Sequence, residues 1–143
     1  MSVPSSWVIG GHQTDFARNT AREGVSFAEL FAENVQGTLE DANIPASDVG
    51  VVHVGNAFGQ LFTGQGQLGA MPATVEPALW EVPAVRHEAA CASGSMALIA
   101  AMAEIEAGRY DVALVIGAEI ERTVGGELGA QHLGAAAWIG HEG

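Results

Sequence analysis

The clearest pattern of apolar and polar positions begins at Phe27. Phe27, Leu30, Phe31, Val35, Leu39 and Ala42 recur at helical spacing, leaving Glu29, Glu33, Gln36 and Glu40 on the other side. The ends are punctuated. Ser26 and Glu29 form the S-x-x-E pattern of a capping box, and Val25 and Leu30 flank it at hydrophobic-staple positions. Asn43 and Pro45 stop the helix. The spacing therefore predicts a helix over 27–42.

Short continuous apolar runs predict strands at Trp7 to Gly11, Val49 to Val54, Val85 to Ala90 and Asp111 to Ile116. The last contains Val112-Ala113-Leu114-Val115-Ile116, as expected of a strand covered on both faces. Past Cys91, Met96, Leu98, Ile99, Met102 and Ile105 return to helical spacing with alanines between them. A helix apolar on nearly every face is a buried helix, and Gly108 is placed to end it. The order strand, helix, strand, strand, helix, strand predicts a layered α/β domain with a mostly parallel sheet and a buried helix behind Cys91. The stretch from Gly55 to Ala84, rich in Gly, Gln and Pro, reads as a functional or interface loop, or as one carrying a short helix without visible periodicity. After Gly117 the chain is rich in Gly and Ala and shows no closing element.

Composition narrows the function classes. With 48% apolar and 15% charged residues, the 143-residue chain can bury a core and is not a disordered segment. The net charge is −12, and its five cations are all arginines. No basic stripe exists to displace counterions, which argues against nucleic-acid binding, and an anionic membrane surface would repel the chain. One cysteine permits no internal disulfide. The histidines at 12, 53, 87, 132 and 141 lack metal-site spacing, so no structural zinc is expected. No signal segment opens the chain and no apolar run reaches membrane-spanning length, so the expected location is the cytoplasm.

Cys91 is the candidate for chemistry. It stands where a predicted strand meets a predicted helix, within Glu88-Ala89-Ala90-Cys91-Ala92-Ser93-Gly94-Ser95. The amino-terminus of a helix carries partial positive charge and free N–H groups, which favour an anionic sulfur and a developing oxyanion. Small neighbours leave room for a carbonyl to approach. Physical chemistry alone leaves two readings open: a nucleophile, or a small core residue in an Ala-rich setting.

The segment Glu88 to Leu98 resembles the nucleophile motif of the thiolase superfamily. Other segments match in order. Val8 to Phe16 resembles the opening strand and turn of thiolases, Val54-Gly55-Asn56 the end of their second strand, and Gly64-Gln65-Gly66-Gln67 the segment before their interface helix. Asp111 to Glu119 resembles the strand ending in G-x-E that follows the nucleophile helix. His87-Glu88-Ala89-Ala90 and Gly134-Ala135-Ala136-Ala137-Trp138 look most like the sterol-carrier-protein-type and archaeal acetyl-CoA acetyltransferase branch. The resemblance implies a thiolase-like N-terminal half in which Cys91 accepts an acyl group from an acyl-CoA thioester, its own N–H serving as one oxyanion donor. It implies no metal or redox cofactor, with CoA thioester entering as substrate. Thiolases are longer, and their activating histidine, second cysteine and CoA-binding loop domain belong to parts without counterparts in residues 1–143. The expectations are an incomplete thiolase N-terminal domain, inactive by itself, in a homo-oligomer or with the missing half. A β-ketoacyl synthase-like condensing enzyme, a non-catalytic scaffold, and an unrelated α/β domain with a structural cysteine are the alternatives.

Weaker signals receive quieter readings. Gly64-Gln65-Gly66-Gln67-Leu68-Gly69 matches G-x-G-x-x-G but does not join a strand directly to a helix, so a subunit contact is expected instead of a dinucleotide. His87 lies four residues before Cys91. Along a strand that places it roughly 13 Å away, which points to a structural or interface role. Glu88 and Glu119 are expected to fix local backbone or meet another domain. Ser93 and Ser95 are expected to cap the helix or line a pocket.

Overall fold

The computed structural model describes residues 5–142. A single turn, α1 (Thr20–Glu23), leads into α2 (Phe27–Ala42). The capping box forms: Ser26 Oγ accepts from the Glu29 N–H at 3.2 Å, and Glu29 Oε2 accepts from the Ser26 N–H at 2.7 Å. These hydrogen bonds, the backbone one first, hold the Glu29 carboxyl below its ordinary value. Asn43 closes α2 in the left-handed conformation at φ 53°.

Three strands, β1 (Val51–Gly55), β2 (Ala84–His87) and β3 (Ala113–Gly117), form a parallel sheet in the order β2-β1-β3. Val52 is level with Ala84 on one side and Leu114 on the other. Side chains alternate across the sheet. Val52, Val54, Leu114 and Ile116 join Phe31, Val35, Leu39, Leu68 and Leu79 in the main core on the α2 side. Val51, His53 and Gly55 point the other way, toward α5 (Ser93–Glu106), which crosses from β2 to β3. The result is an α/β domain of three layers.

The crossover from β1 to β2 is not one loop. It contains α3 (Gly59–Thr63), α4 (Met71–Val75) and 3-10 turns at Leu68–Ala70 and Pro77–Leu79. Each piece is shorter than two helical turns, too short to leave a period in the sequence. Helices α6 (Gly126–Gly134) and α7 (Ile139–Glu142) follow β3. Among the described residues, no helix is long and apolar enough to cross a membrane.

Three sequence expectations change. Trp7 to Gly11 forms no strand, and Trp7 and Val8 are each 83% exposed. A short apolar run looks the same whether or not a sheet edge meets it, and none does here. The segment is tied instead to the end of α2. Gly11 N–H donates to Asp41 Oδ2 at 2.8 Å, and a Cβ on Gly10 would stand 2.6 Å from Ala42 Cα. Second, the burial of α5 is one-sided. Ser93, Ala97 and Ala101 are buried on the sheet, whereas Met96, Leu98, Ile99 and Met102 lie open. The alanines are small enough for the helix to approach the strands, which sends the larger side chains outward. Third, β3 is fully covered only through Leu114 and Ile116; Ala113 and Val115 are half-buried.

Candidate active site

The three parallel strands end at Gly55, His87 and Gly117. Ligands of open α/β sheets collect beyond such carboxyl ends. Here a cavity of about 630 Å³ opens, within the size range of small-molecule sites. Cys91, Ala90, Ser93 and Gly94 form one wall. Gly55, Ala57 and Phe58 after β1, and the chain from Gly117 to Arg122 after β3, form the floor and a second wall. The loop before α1 supplies Thr14, Asp15, Phe16 and Arg18. Arg18 is held there by ion pairs to Glu23 at 2.9 Å and Glu33 at 2.8 Å. The Arg18 hydrogen bond in turn keeps the Glu33 carboxyl below its ordinary value.

Cys91 is a free, exposed thiol directly before Ala92, the N-cap of α5. The turn that presents it is unusual. Ala90 has φ 48°, a left-handed conformation that costs a non-glycine residue about 1–2 kcal/mol. Ser93, only 5% exposed, holds that turn with one hydroxyl. Its Oγ accepts from the Ala89 N–H at 2.9 Å and donates to the Ala90 carbonyl at 2.6 Å. The Ala90 N–H donates to Glu88 Oε1 at 2.6 Å. Below the turn, Gly55 lets α5 rest directly on β1: a Cβ there would stand 2.6 Å from Gly94 Cα.

Two polar side chains tie the strand ends together. Asn56 is fully buried, donating from Nδ2 to the Ala118 carbonyl at 2.6 Å and accepting at Oδ1 from the Gly59 N–H at 3.1 Å. Glu119 accepts from the N–H groups of Ala57 and Phe58. Glu119 lines the cavity, and much of its side chain remains accessible. Desolvation pushes its carboxyl above its ordinary value, against the pull of the two N–H donors.

Cys91 is thus placed at a helix amino-terminus facing a cavity, as expected. Ser93 lines the cavity and holds the turn, and Glu88 and Glu119 both fix backbone. His87 is not brought into the cavity; its Nε2 lies 2.8 Å from His53 Nδ1. The Gly64–Gly69 segment joins no strand to a helix. Gly69 packs on β2, where a Cβ would stand 2.9 Å from Arg86 N. The sequence matches Asn56 and Asp15–Phe16 only to a strand end and a turn. It anticipates neither the bond from Asn56 to Ala118, nor the place of Asp15, Phe16 and Arg18 at the cavity, nor the pairing of His53. His53 did leave a signal, because a polar residue inside the otherwise aliphatic Val51–Val54 run requires a partner.

A model of the thiolase N-terminal domain family matches residues 6–122. The chain belongs to this family. The relatives agree with that placement. An acetyl-CoA acetyltransferase of Methanocaldococcus jannaschii is 38% identical over 112 residues, 78% of this chain and 28% of the relative. The acetyl-CoA acetyltransferase of Methanothermobacter thermautotrophicus is 34% identical over the same shares. A non-specific lipid-transfer protein-like 2 of Caenorhabditis elegans is 31% identical over 87% of this chain and 28% of its own length. The chain therefore spans about 28% of the length of these relatives. In this thiolase N-terminal domain, the cavity, the strained turn and the only cysteine coincide.

Proposed function

We propose that this domain serves a thiolase-type acyl-CoA acyltransferase, with Cys91 as the acyl acceptor. The observation that carries the reading is the free Cys91 thiol at the amino-terminus of α5, opening on the cavity at the carboxyl end of a parallel sheet. The Cys91 thiolate attacks the carbonyl carbon of an acyl-CoA. The new S–C bond forms, the bond to the CoA sulfur breaks, and CoA leaves with the electron pair. In synthesis the acyl group then passes to the deprotonated α-carbon of a second acyl-CoA, and Cys91 leaves as the thiolate. In cleavage Cys91 instead takes its acyl group from a β-ketoacyl-CoA as the bond between the α- and β-carbons breaks and an acyl-CoA departs. CoA then removes the acyl group as a new thioester. Splitting the transfer this way replaces one difficult step by two easier ones. The Cys91 N–H and the first-turn dipole of α5 stabilise the charge that develops on the carbonyl oxygen. This chemistry needs no metal or redox cofactor. We place it in the cytoplasm, where a free thiol stays reduced.

Among the described residues Cys91 is the nucleophile and no base is directed at it, so the reading assigns the proton transfers to groups from another part of the assembly. The exposed apolar side of α5 is the surface assigned to that partner, either a second thiolase half or a second copy of the chain. The test is CoA exchange: labelled CoA is incorporated into acetyl-CoA by the protein in its native assembly, without a second acyl substrate. Loss of exchange in Cys91→Ser is expected. Exchange that survives in that variant would overturn the assignment.

A further inference from the structure

Behind the Cys91 turn lies a polar chain that the acyl-transfer reading does not use. His53, 2% exposed, sits in the middle of β1. Its Nε2 is 3.1 Å from Glu104 Oε2 on α5, and its Nδ1 is 2.8 Å from Nε2 of His87 at the end of β2. One line of hydrogen bonds thus joins the helix that follows Cys91, the central strand and the strand leading to Cys91. The backbone of His87 is anchored as well, because its carbonyl accepts from the N–H of the fully buried Asn56 at 3.1 Å. Four residues later the chain reaches Cys91.

The protons in this line can be counted. A carboxylate only accepts, so His53 Nε2 carries a hydrogen. In the neutral pair His53 Nδ1 is then bare, and His87 Nε2 donates to it. One extra proton is tolerated: a doubly protonated His53 donates to Glu104 and to a His87 whose hydrogen has moved to Nδ1. A second extra proton is not tolerated, because two N–H groups would then face each other across 2.8 Å. We infer that Glu104, His53 and His87 form a positioning clasp for the Cys91 turn that holds at most one proton beyond the neutral pair. The positioning residues act through β2 and α5 and do not touch the reacting atoms.

The surroundings fit this role. From α5 the group acting on His87 is Glu104, and from β1 it is His53. On the same face β2 adds Val85, and β3 offers only Ala113 and Val115. Burial first, then His53, hold the His87 imidazole below its ordinary 6.5, with Glu104 pulling the other way. The unfolded chain therefore binds more protons than the folded one between that depressed value and 6.5. The contribution is intact above 6.5 and is lost as pH falls through the depressed value.

The inference concerns how the turn is held, not acyl transfer, so its test reads physical signals that do not depend on acylation. Ring nitrogen NMR shifts of His53 and His87 would be followed as pH falls, together with amide hydrogen exchange at Asn56 and Ala89 corrected for its intrinsic pH dependence. The expected result is stepwise proton uptake by the pair. Protection at Asn56 and Ala89 should drop about tenfold at the second uptake only, while the amides of α2 stay protected. In His87→Asn, a neutral hydrogen-bonding replacement, the acid-side drop should vanish. In Glu104→Gln, which keeps the acceptor but removes the charge, both uptakes should move to lower pH. Independent titration of the two rings, or loss of protection at the same pH throughout α2, would overturn the inference. Protection at Asn56 and Ala89 that ignores the second uptake would overturn it too.

Discussion

Two helices cover opposite faces of one small sheet and treat their apolar residues in opposite ways. In α2 the large side chains Phe27, Leu30, Phe31, Val35 and Leu39 are buried on the sheet side, and the glutamates face out. In α5 the buried residues are Ser93, Ala97 and Ala101, and the large side chains Met96, Leu98, Ile99 and Met102 face out. The first helix stabilises this chain by filling volume. The second gains closeness: its small face lets Gly94 rest on Gly55, which sets the height of the Cys91 turn above the strand ends. Its large side chains stay exposed. The contrast separates the side of the sheet that holds the fold from the side that presents Cys91.

The largest break in the comparison comes from truncating matched apolar residues. Phe31→Ala should cost about 3–5 kcal/mol in denaturant unfolding, because a fully buried ring leaves a cavity. Ile99→Ser, at a position 55% exposed, should change unfolding by less than about 0.5 kcal/mol yet weaken association measured by sedimentation. An Ile99 cost close to that of Phe31 in the isolated chain would erase the distinction.

Gly55→Ala is the next largest. The added methyl meets the Gly94 backbone, which must shift, at a cost of about 1–3 kcal/mol. The displacement should appear as a changed labelling rate of Cys91, read cleanly because the chain has one cysteine. Ser26→Ala removes the cap of α2 and should lower stability by about 1 kcal/mol with no effect on that rate. The smallest effect belongs to Glu33. Arg18 holds its carboxyl below 4.5, so the folded chain binds fewer protons there than the unfolded one. The stabilisation is present above 4.5 and fades as pH falls through the depressed value. Solvent screening keeps the effect of this partly exposed pair the smallest of the series, and Glu33→Gln should remove it from a pH series of melting curves.

The sequence was most legible where one element carried its own evidence. Ser26, Glu29, the heptad-like run and Asn43 define α2 without outside help, and the structure reproduces its bounds. Cys91 was a candidate by its place among small residues at a strand-to-helix junction, but only the thiolase resemblance chose the nucleophile reading over that of a core residue. What stayed hidden depends on pairings distant in the chain. Asn56 reaches Ala118, and Glu119 reaches back to Ala57 and Phe58. His53 meets Glu104 only when α5 lies across β1. Trp7 to Gly11 shows the reverse error, since a strand needs an edge to pair with and local composition cannot supply one. The apolar outer side of α5 was read as burial because sequence pattern reports a preference for contact, not which surface provides it.

The most direct measurement is peptide mass mapping of the protein in its native assembly after brief exposure to acetyl-CoA, beside the Cys91→Ser variant. The account predicts one acetyl group on the peptide containing Cys91 and none on the variant. Acetylation at another residue, or an unmodified Cys91 while acetyl transfer proceeds, would contradict it.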